Sequence, residues 1–169
     1  MNYLAIALYF ATSLSGQNNL DINLPDVKIE FTEVSGTSGT ICGFAANIQF
    51  DPADLTASTI SGTVEANTLN TENSTRDKHL QSKDFFEVET YPHMSFKSTS
   101  IQAEGSSFIM TGLLQIKDVT REEKITFTYG DKLFSGTSII QLKYYNVGGY
   151  TKKKPEQTSV EIKFHIPVL

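Results

Sequence analysis

Polar and apolar residues alternate along most of the chain from about residue 27 onward, the pattern of β-strands that bury one face. The last run is the clearest, because Val160, Ile162 and Phe164 alternate with Glu161 and Lys163. Similar runs begin near residues 27, 44, 60, 94, 108, 125 and 132, and in the last of these the inward register is ambiguous. The pattern predicts about eight strands.

Short turn signals separate these runs, and no regular helical pattern lies between them that would indicate βαβ units. Examples are Glu104-Gly105-Ser106 and Gly130-Asp131. This favours an all-β fold of antiparallel hairpins, and closure into an eight-stranded barrel would remove the sheet edges. An open two-sheet sandwich is the alternative.

Several inward positions of the predicted strands carry small residues among the bulky ones. They are Ala46, Gly62, Ala66, Ser98, Ser100 and Gly112. An eight-stranded barrel is just wide enough to be filled by its own side chains or to enclose one slender ligand. Small residues leave space for a tunnel, but they also face large residues in filled cores, so the pattern leaves both interpretations open.

The segment RDKHLQSKDFFEVETYPHMSFKS, residues 76–98, interrupts the strand pattern with charges and aromatic rings. Ser74 and Asp77 have the spacing of a capping box, which predicts a short helix beginning at Ser74. Phe85-Phe86 supply apolar anchors, and Tyr91-Pro92 returns the chain to an extended conformation. We interpret the segment as short helical turns that cover one end of the barrel.

A catalytic or metal-binding role for this segment is the alternative. His79, His93 and His165 do not have the close spacing of metal ligands, and no P-loop, GxSxG or GxGxxG motif is present. Asp77 could act with a second acid, and Arg76 could hold an anionic substrate. An arginine beside carboxylates in a helical turn more often forms an ion pair or caps a carbonyl, so the structural interpretation is favoured.

Charge argues against one class of partner. The chain has 14 basic and 19 acidic residues, a net charge of −5 and a pI near 5.2, so it lacks the basic face that nucleic-acid binding requires. Cys42 is the only cysteine; an internal disulfide is therefore excluded, and a small buried hydrophobic role is expected.

The first twenty residues carry no charged side chain, and their apolar run is too short to span a bilayer as a helix. Ser13-Leu14-Ser15 has the small-x-small pattern of a cleavage site. We expect a signal peptide at residues 1–15, a domain at residues 20–169, no membrane span in the mature chain, and a periplasmic or secreted location.

The run from residue 76 to residue 100, together with TVEANTLNTEN before it and MTGLLQIKDVT after it, resembles the YceI-like family of secreted, lipocalin-like proteins. The resemblance covers roughly residues 27–167. The matching motif positions are Arg76, Asp77, His79, Leu80, Ser82, Asp84, Phe85, Phe86, Tyr91, Pro92, Phe96 and Ser98. Arg121-Glu122 replace a Lys-Pro that is common in the family, at a predicted hairpin tip.

This resemblance implies an antiparallel barrel that holds a long isoprenoid or a similar apolar chain, such as a polyprenyl phosphate or a quinone tail, with no catalytic residues, cofactor or metal. The expected ligand contacts are Phe31, Phe44, Ile48, Ile60, Val64, Phe85, Phe86, Met94, Phe96, Phe108, Met110, Leu114, Ile116, Phe127, Tyr129, Ile162 and Phe164. Arg76 and Lys152 are the head-group candidates. The alternatives are an enzyme that uses Asp77, His79 and His93 on a lipid-like substrate, and a filled barrel that binds only protein; a homodimer is left open.

Overall fold

A computed structural model describes residues 19–169, and the predicted signal peptide lies outside this range. The described chain forms nine strands, one α-helix and four short 3₁₀ turns. The strands are β1 (Lys28–Glu33), β2 (Ser38–Thr40), β3 (Ala45–Gln49), β4 (Thr59–Glu65), β5 (His93–Glu104), β6 (Ser107–Ile116), β7 (Val119–Gly130), β8 (Leu133–Gln141) and β9 (Ser159–Pro167). The helix is α1 (Ser74–Gln81), and the 3₁₀ turns are Leu24–Asp26, Ala66–Thr68, Leu142–Tyr145 and Pro155–Gln157.

All nine strands join one antiparallel sheet in the order β2-β1-β9-β8-β7-β6-β5-β4-β3. The sheet curls around a single interior, which confirms the predicted all-β, antiparallel barrel-type fold. The strand count is nine instead of eight. The additional strand is β2, whose sequence Ser-Gly-Thr contains no apolar residue and is too short to produce an alternating pattern.

Connecting segments tie down the two outer strands of the sheet. Thr40 in β2 exchanges backbone hydrogen bonds with Asn70, at 2.9 and 3.0 Å. At the other end of the interior, the Leu20 N–H donates to the carbonyl of Ile48 in β3 at 2.8 Å, and Ile22 pairs with Val168 beyond β9. We call the gap between the two outer strands, β2 and β3, the seam. These contacts tie β2 and β3 to neighbouring segments, so the strand edges are not left open to pair with another chain.

Two local features decide which side chains face inward. The pairing of β5 with β6 shifts between Ser98 and Ser100; Ile101 is therefore buried after the shift and Ser100, which the alternation predicted inward, is exposed. In β8 the register ambiguity is resolved, because Ile140 is buried whereas Ile139 is 66% exposed.

The interior contains two apolar clusters. We call the first the lid cluster; its buried members are Ile41, Leu69, Phe86, Ile116, Ile140, Leu142, Tyr145, Val147, Tyr150 and Val160. The second is the floor cluster, with Ile48, Ile101, Met110, Phe127, Phe134, Ile166 and Val168. Because β6, β8 and β9 contribute to both, the two clusters stack along the barrel axis.

Cys42 does not have the predicted buried position. It is exposed because it lies in the connection between β2 and β3, outside the strands whose alternate residues face the interior. Its N–H donates to Thr68 Oγ1 at 2.8 Å. Among the described residues, none of the helices has the length and apolar character needed to traverse a bilayer.

Candidate functional site

An elongated cavity of about 450 Å³ occupies the interior between the lid and floor clusters. Both clusters line it, so it extends along the barrel axis. The wall includes Ile29, Phe31, Ile41, Phe44, Ala46, Ile48, Ile60, Gly62, Val64, Leu69, Leu80, Phe85, Phe86, Met94, Phe96, Met110, Leu114, Ile116, Ile125, Phe127, Phe134, Ile140, Leu142, Tyr150, Val160, Ile162, Phe164 and Ile166. The observed cavity excludes the filled-barrel alternative, and a wall of this composition suits an apolar ligand.

Helix α1 and the turn that follows it cover one end of the cavity; residues 74–86 are called the lid here. The Asn73 side chain caps the helix by accepting the Arg76 N–H at 3.1 Å. The predicted cap at Ser74 was therefore wrong by one residue, since an Asn has the same short acceptor and precedes Ser74. Ser82 ends the helix, with its hydroxyl donating to the His79 carbonyl at 2.7 Å.

Thr71, which is buried, fastens the lid to the barrel. Asp77 accepts hydrogen bonds from the Thr71 N–H at 2.9 Å and from its hydroxyl at 2.5 Å. Arg76 donates from Nε to the same hydroxyl at 2.8 Å and from Nη2 to the Thr71 carbonyl at 2.9 Å. The two charged residues therefore serve mainly to position the helix, as the carbonyl-cap interpretation expected.

A second segment packs against the lid. A Cβ placed on Gly148 would lie 1.5 Å from the Asp84 carbonyl oxygen, and one on Gly149, whose φ is +69°, would lie 2.9 Å from the Phe85 ring. Phe85 also contacts His79 and Tyr150 edge-on, with ring centroids 4.6 and 5.9 Å apart. The lid and the 148–150 segment thus close together over the cavity.

Lys117, in the turn between β6 and β7, contacts the segment that follows the lid. Its ammonium lies 3.7 Å from the Glu87 carboxylate and 3.3 Å from the Asn146 carbonyl oxygen. It also lies 5.9 Å from the centre of the Tyr91 ring. Because the Lys117 side chain is largely buried, these contacts fix the Tyr91-Pro92 exit of the lid segment against β6 and β7.

Part of the polar lining lies near the lid, whereas Ser61, Thr63 and Ser95 line the cavity from β4 and β5. Glu33, Thr37, Arg76 and His79 reach the cavity beside Tyr150, and we call this set the mouth. Burial, a hydrogen bond to the Glu33 carboxylate and the negative charge of that group together raise the pKa of Tyr150 well above its ordinary value. The tyrosine is therefore a neutral donor near pH 7.

The opposite end of the cavity is closed by aromatic rings. Phe127 and Phe134 line the cavity and are each 2% exposed. Phe50 lies behind them, with ring centroids 5.5 and 5.4 Å away in edge-to-face contacts. Phe108 and Tyr129 complete this group, at 5.1 and 5.4 Å from Phe50.

The small residues highlighted by the sequence have two different uses. Ala46 and Gly62 line the cavity and leave it open. Gly112 instead accepts a neighbouring ring, because a Cβ there would lie 2.3 Å from a ring carbon of Phe96. Gly136, which the sequence analysis did not single out, accepts the ring of Phe164 in the same way. Part of the space that small residues leave is therefore filled by phenylalanines lying across the strands.

Of the predicted ligand contacts, Phe108 and Tyr129 lie outside the cavity wall, in the aromatic floor; the other predicted contacts are part of the wall. Arg76 reaches the mouth, whereas Lys152 is exposed in the loop after Tyr150 and does not line the cavity. Prediction from alternation missed Ile41, Leu69, Leu142 and Tyr150 because they lie in connections outside the strands. The Gly148-Gly149 pair before Tyr150 was the available signal for close packing there.

The residues of the enzyme alternative do not converge. Only His79 of the three lines the cavity; Asp77 is bonded to Thr71, and His93 is exposed at the start of β5. Within residues 19–169, no three side chains of His, Cys, Asp or Glu are grouped as a metal site would require.

Comparison with known proteins agrees with this geometry. A family profile described as the YceI-like domain matches residues 20–168. The chain is 31% identical over 121 residues to the UPF0312 protein plu2095 of Photorhabdus laumondii, covering 69% of this chain and 63% of that protein. It is 33% identical over 94 residues to Protein YceI of Salmonella newport, covering 56% of this chain and 49% of that protein. The chain thus spans about half to two thirds of the length of these relatives.

Two solved structures share the fold. BcnA of Burkholderia cenocepacia superposes with a TM-score of 0.79 at 26% identity, covering 86% of this chain and 98% of that one. A polyisoprenoid-binding domain from Saccharophagus degradans, implicated in plant cell wall breakdown, superposes with a TM-score of 0.63 at 12% identity, covering 87% and 95%. The second likeness shows the fold alone.

Proposed function

The chain belongs to the family of YceI-like domains, and from the apolar cavity inside its barrel we propose that it binds a long isoprenoid-type lipid and shields it from water. The observation that carries the proposal is a continuous wall of Phe, Ile, Leu, Val and Met from lid to floor. An isoprenoid tail has no hydrogen-bonding groups, so such a wall satisfies it completely. The polyisoprenoid-binding relative of the same fold supports this assignment.

Hydrophobic transfer is sufficient to hold such a chain. Burial of each CH₂ contributes about 0.8 kcal/mol, so ten to fifteen buried carbons yield a gross gain on the order of 10 kcal/mol before ordering costs. Binding therefore requires no chemical step. The protein would act by encapsulation, in sequestration or transport of the lipid, in the periplasm or outside the cell.

The mouth is where a polar head group would lie. Arg76 uses Nε and Nη2 on Thr71, which leaves further N–H donors of its guanidinium for a phosphate or a quinone oxygen. Lys152, proposed from the sequence, is exposed in the adjoining loop. The ammonium of its neighbour Lys153 lies 4.9 Å from the centre of the Tyr150 ring. Lys153 is therefore the stronger candidate for a cationic contact with the head group.

A pair of substitutions on β3 tests the proposal. Ala46 lines the cavity, whereas Ala45 beside it is exposed on the outer face. The Ala46→Phe variant should fill the cavity and reduce uptake of radiolabelled farnesol at least about tenfold, the loss expected from displacing a few CH₂ contacts. Ala45→Phe, the matched control, should bind like the unchanged protein. Absence of uptake by the unchanged protein, or equal uptake by both variants, would reject the proposal.

A further inference from the structure

The cavity ends on a pair of rings that have their own support. Phe127 and Phe134 belong to its wall, but Phe50, which contacts both, does not. Phe50 follows β3, and its ring makes edge-to-face contacts with Phe108 and Tyr129 as well. Phe50 is therefore the centre of the aromatic floor. Because interiors are close-packed, its ring opposes movement of Phe127 and Phe134 away from the cavity.

Segments outside the strands add apolar side chains to the floor. Leu20, Ile22 and Leu55 pack against the floor cluster. Leu20 and Ile22 are held there by the backbone contacts to Ile48 and Val168 that close the seam. Apolar side chains therefore cover the floor end, while Arg76, His79 and the lid lie at the opposite end. A chain that enters through the mouth meets a fixed stop.

The distance from mouth to stop limits the ligand. On β9 the wall runs from Val160 to Ile166, roughly 20 Å along the strand and about 15 Å along the axis of a tilted barrel. With carbon–carbon bonds of about 1.5 Å, an extended chain of roughly a dozen carbons spans this distance, which is about three isoprene units.

We propose that Phe127 and Phe134, held by Phe50, set the longest isoprenoid chain that the cavity accepts in full. This inference rests on the proposed function, since it concerns the same cavity. Each isoprene unit that enters replaces water contacts by wall contacts, whereas a unit beyond the stop stays at the mouth in water. Affinity therefore rises with chain length up to the stop and then levels off.

The experiment loads the protein from an equimolar mixture of all-trans prenols, from geraniol to solanesol, and quantifies the bound prenols by mass spectrometry. Phe50→Leu and Phe50→Ala are compared with the unchanged protein; the milder Phe50→Leu keeps the test usable if Phe50→Ala does not fold. Val168→Ala is the control, because Val168 is buried in the floor cluster but does not line the cavity.

In the unchanged protein, enrichment should rise about tenfold or more for each unit up to the stop, and change less than about threefold beyond it. Both Phe50 variants should move this limit to a longer prenol by at least one unit, whereas Val168→Ala should leave it in place. Prenols bound with the same length profile in a folded Phe50 variant would overturn the inference alone. Absence of any bound prenol in all proteins would overturn the proposed function instead.

Discussion

The side chain of Arg76 holds Thr71 by two hydrogen bonds, from Nε to the Thr71 hydroxyl at 2.8 Å and from Nη2 to the Thr71 carbonyl at 2.9 Å. The same hydroxyl donates to Asp77. The buried Thr71 thus connects the first turn of the lid helix to the backbone beside Asn70, which pairs with Thr40 of β2. Removal of the Thr71 hydroxyl should therefore weaken the attachment of the lid to the barrel.

The Thr71→Val variant tests this connection. The substitution keeps the shape of the side chain but leaves the Asp77 carboxylate and the Arg76 guanidinium each without one partner, which should lower the free energy of unfolding by about 1–3 kcal/mol. Urea denaturation measures it. Thr75→Val, at an exposed position of α1, is the control and should change stability by less than about 0.5 kcal/mol. Equal effects of the two variants would contradict the assignment.

Closure of the lid depends on Gly148. Because a Cβ there would lie 1.5 Å from the Asp84 carbonyl oxygen, Gly148→Ala must push the lid away from the 148–150 segment. We expect faster release of bound farnesol in a stopped-flow competition experiment and a loss of stability on the order of 2 kcal/mol. Gly130→Ala is the control, since a Cβ at Gly130 has no atom within 4 Å; release from it should be unchanged.

Alkaline pH should destabilise the fold through two buried tyrosines. Burial, then hydrogen bonding to Glu123 at 2.7 Å, raises the pKa of Tyr145, and burial with Glu33 raises that of Tyr150. Above about pH 10 the unfolded chain loses these protons while the folded protein keeps them. Each tyrosine should therefore lower the free energy of unfolding by about 1.4 kcal/mol per pH unit in that range, and have no such effect below about pH 9.

The comparison of Tyr145→Phe with the unchanged protein isolates this contribution from the other groups that titrate at high pH. Urea denaturation between pH 8 and pH 11 should give a shallower alkaline decline for the variant. Parallel declines would show that Tyr145 ionises in the folded protein as it does in the unfolded chain.

Ligands of different charge can distinguish the roles of Lys152 and Lys153, which lie in the loop after Tyr150. Both side chains are exposed, but only the Lys153 ammonium is found over the ring of a wall residue, 4.9 Å from the centre of Tyr150. Farnesyl phosphate should therefore bind more tightly than farnesol, and Lys153→Ala should reduce this preference about three- to tenfold, more than Lys152→Ala does. Equilibrium competition at low and high salt measures the preference. An equal preference in both variants and the unchanged protein would mean that the loop makes no contact with the head group.

Much of the barrel could be predicted from the sequence, because period-two alternation reports directly on which face of a strand is buried. Residues such as Phe96, Leu114 and Ile162 were placed on the cavity wall by this rule. The rule fails where the period breaks: Ser100 is exposed because of the register shift after Ser98. Alternation also gives no information on Tyr150, because this residue reaches the cavity from the segment between β8 and β9, outside any strand.

The ends of the cavity were the hardest part to predict. Alternation places Phe108 and Tyr129 inward, but it does not give their height along the axis, and both lie in the aromatic floor with Phe50. The helix start was predicted correctly, but the cap is Asn73 instead of Ser74, and Asp77 accepts from Thr71 instead of completing a capping box. Local rules thus locate an element better than the contacts at its ends.

The measurement that tests the central claim most directly is organic extraction and mass spectrometry of the protein purified from its native host. We predict that a prenyl lipid or a quinone with an isoprenoid tail is recovered in near-stoichiometric amount, and that Ala46→Phe purified in the same way carries much less of it. Repeated recovery of no lipid, together with no uptake of added prenols by the purified protein, would contradict the account.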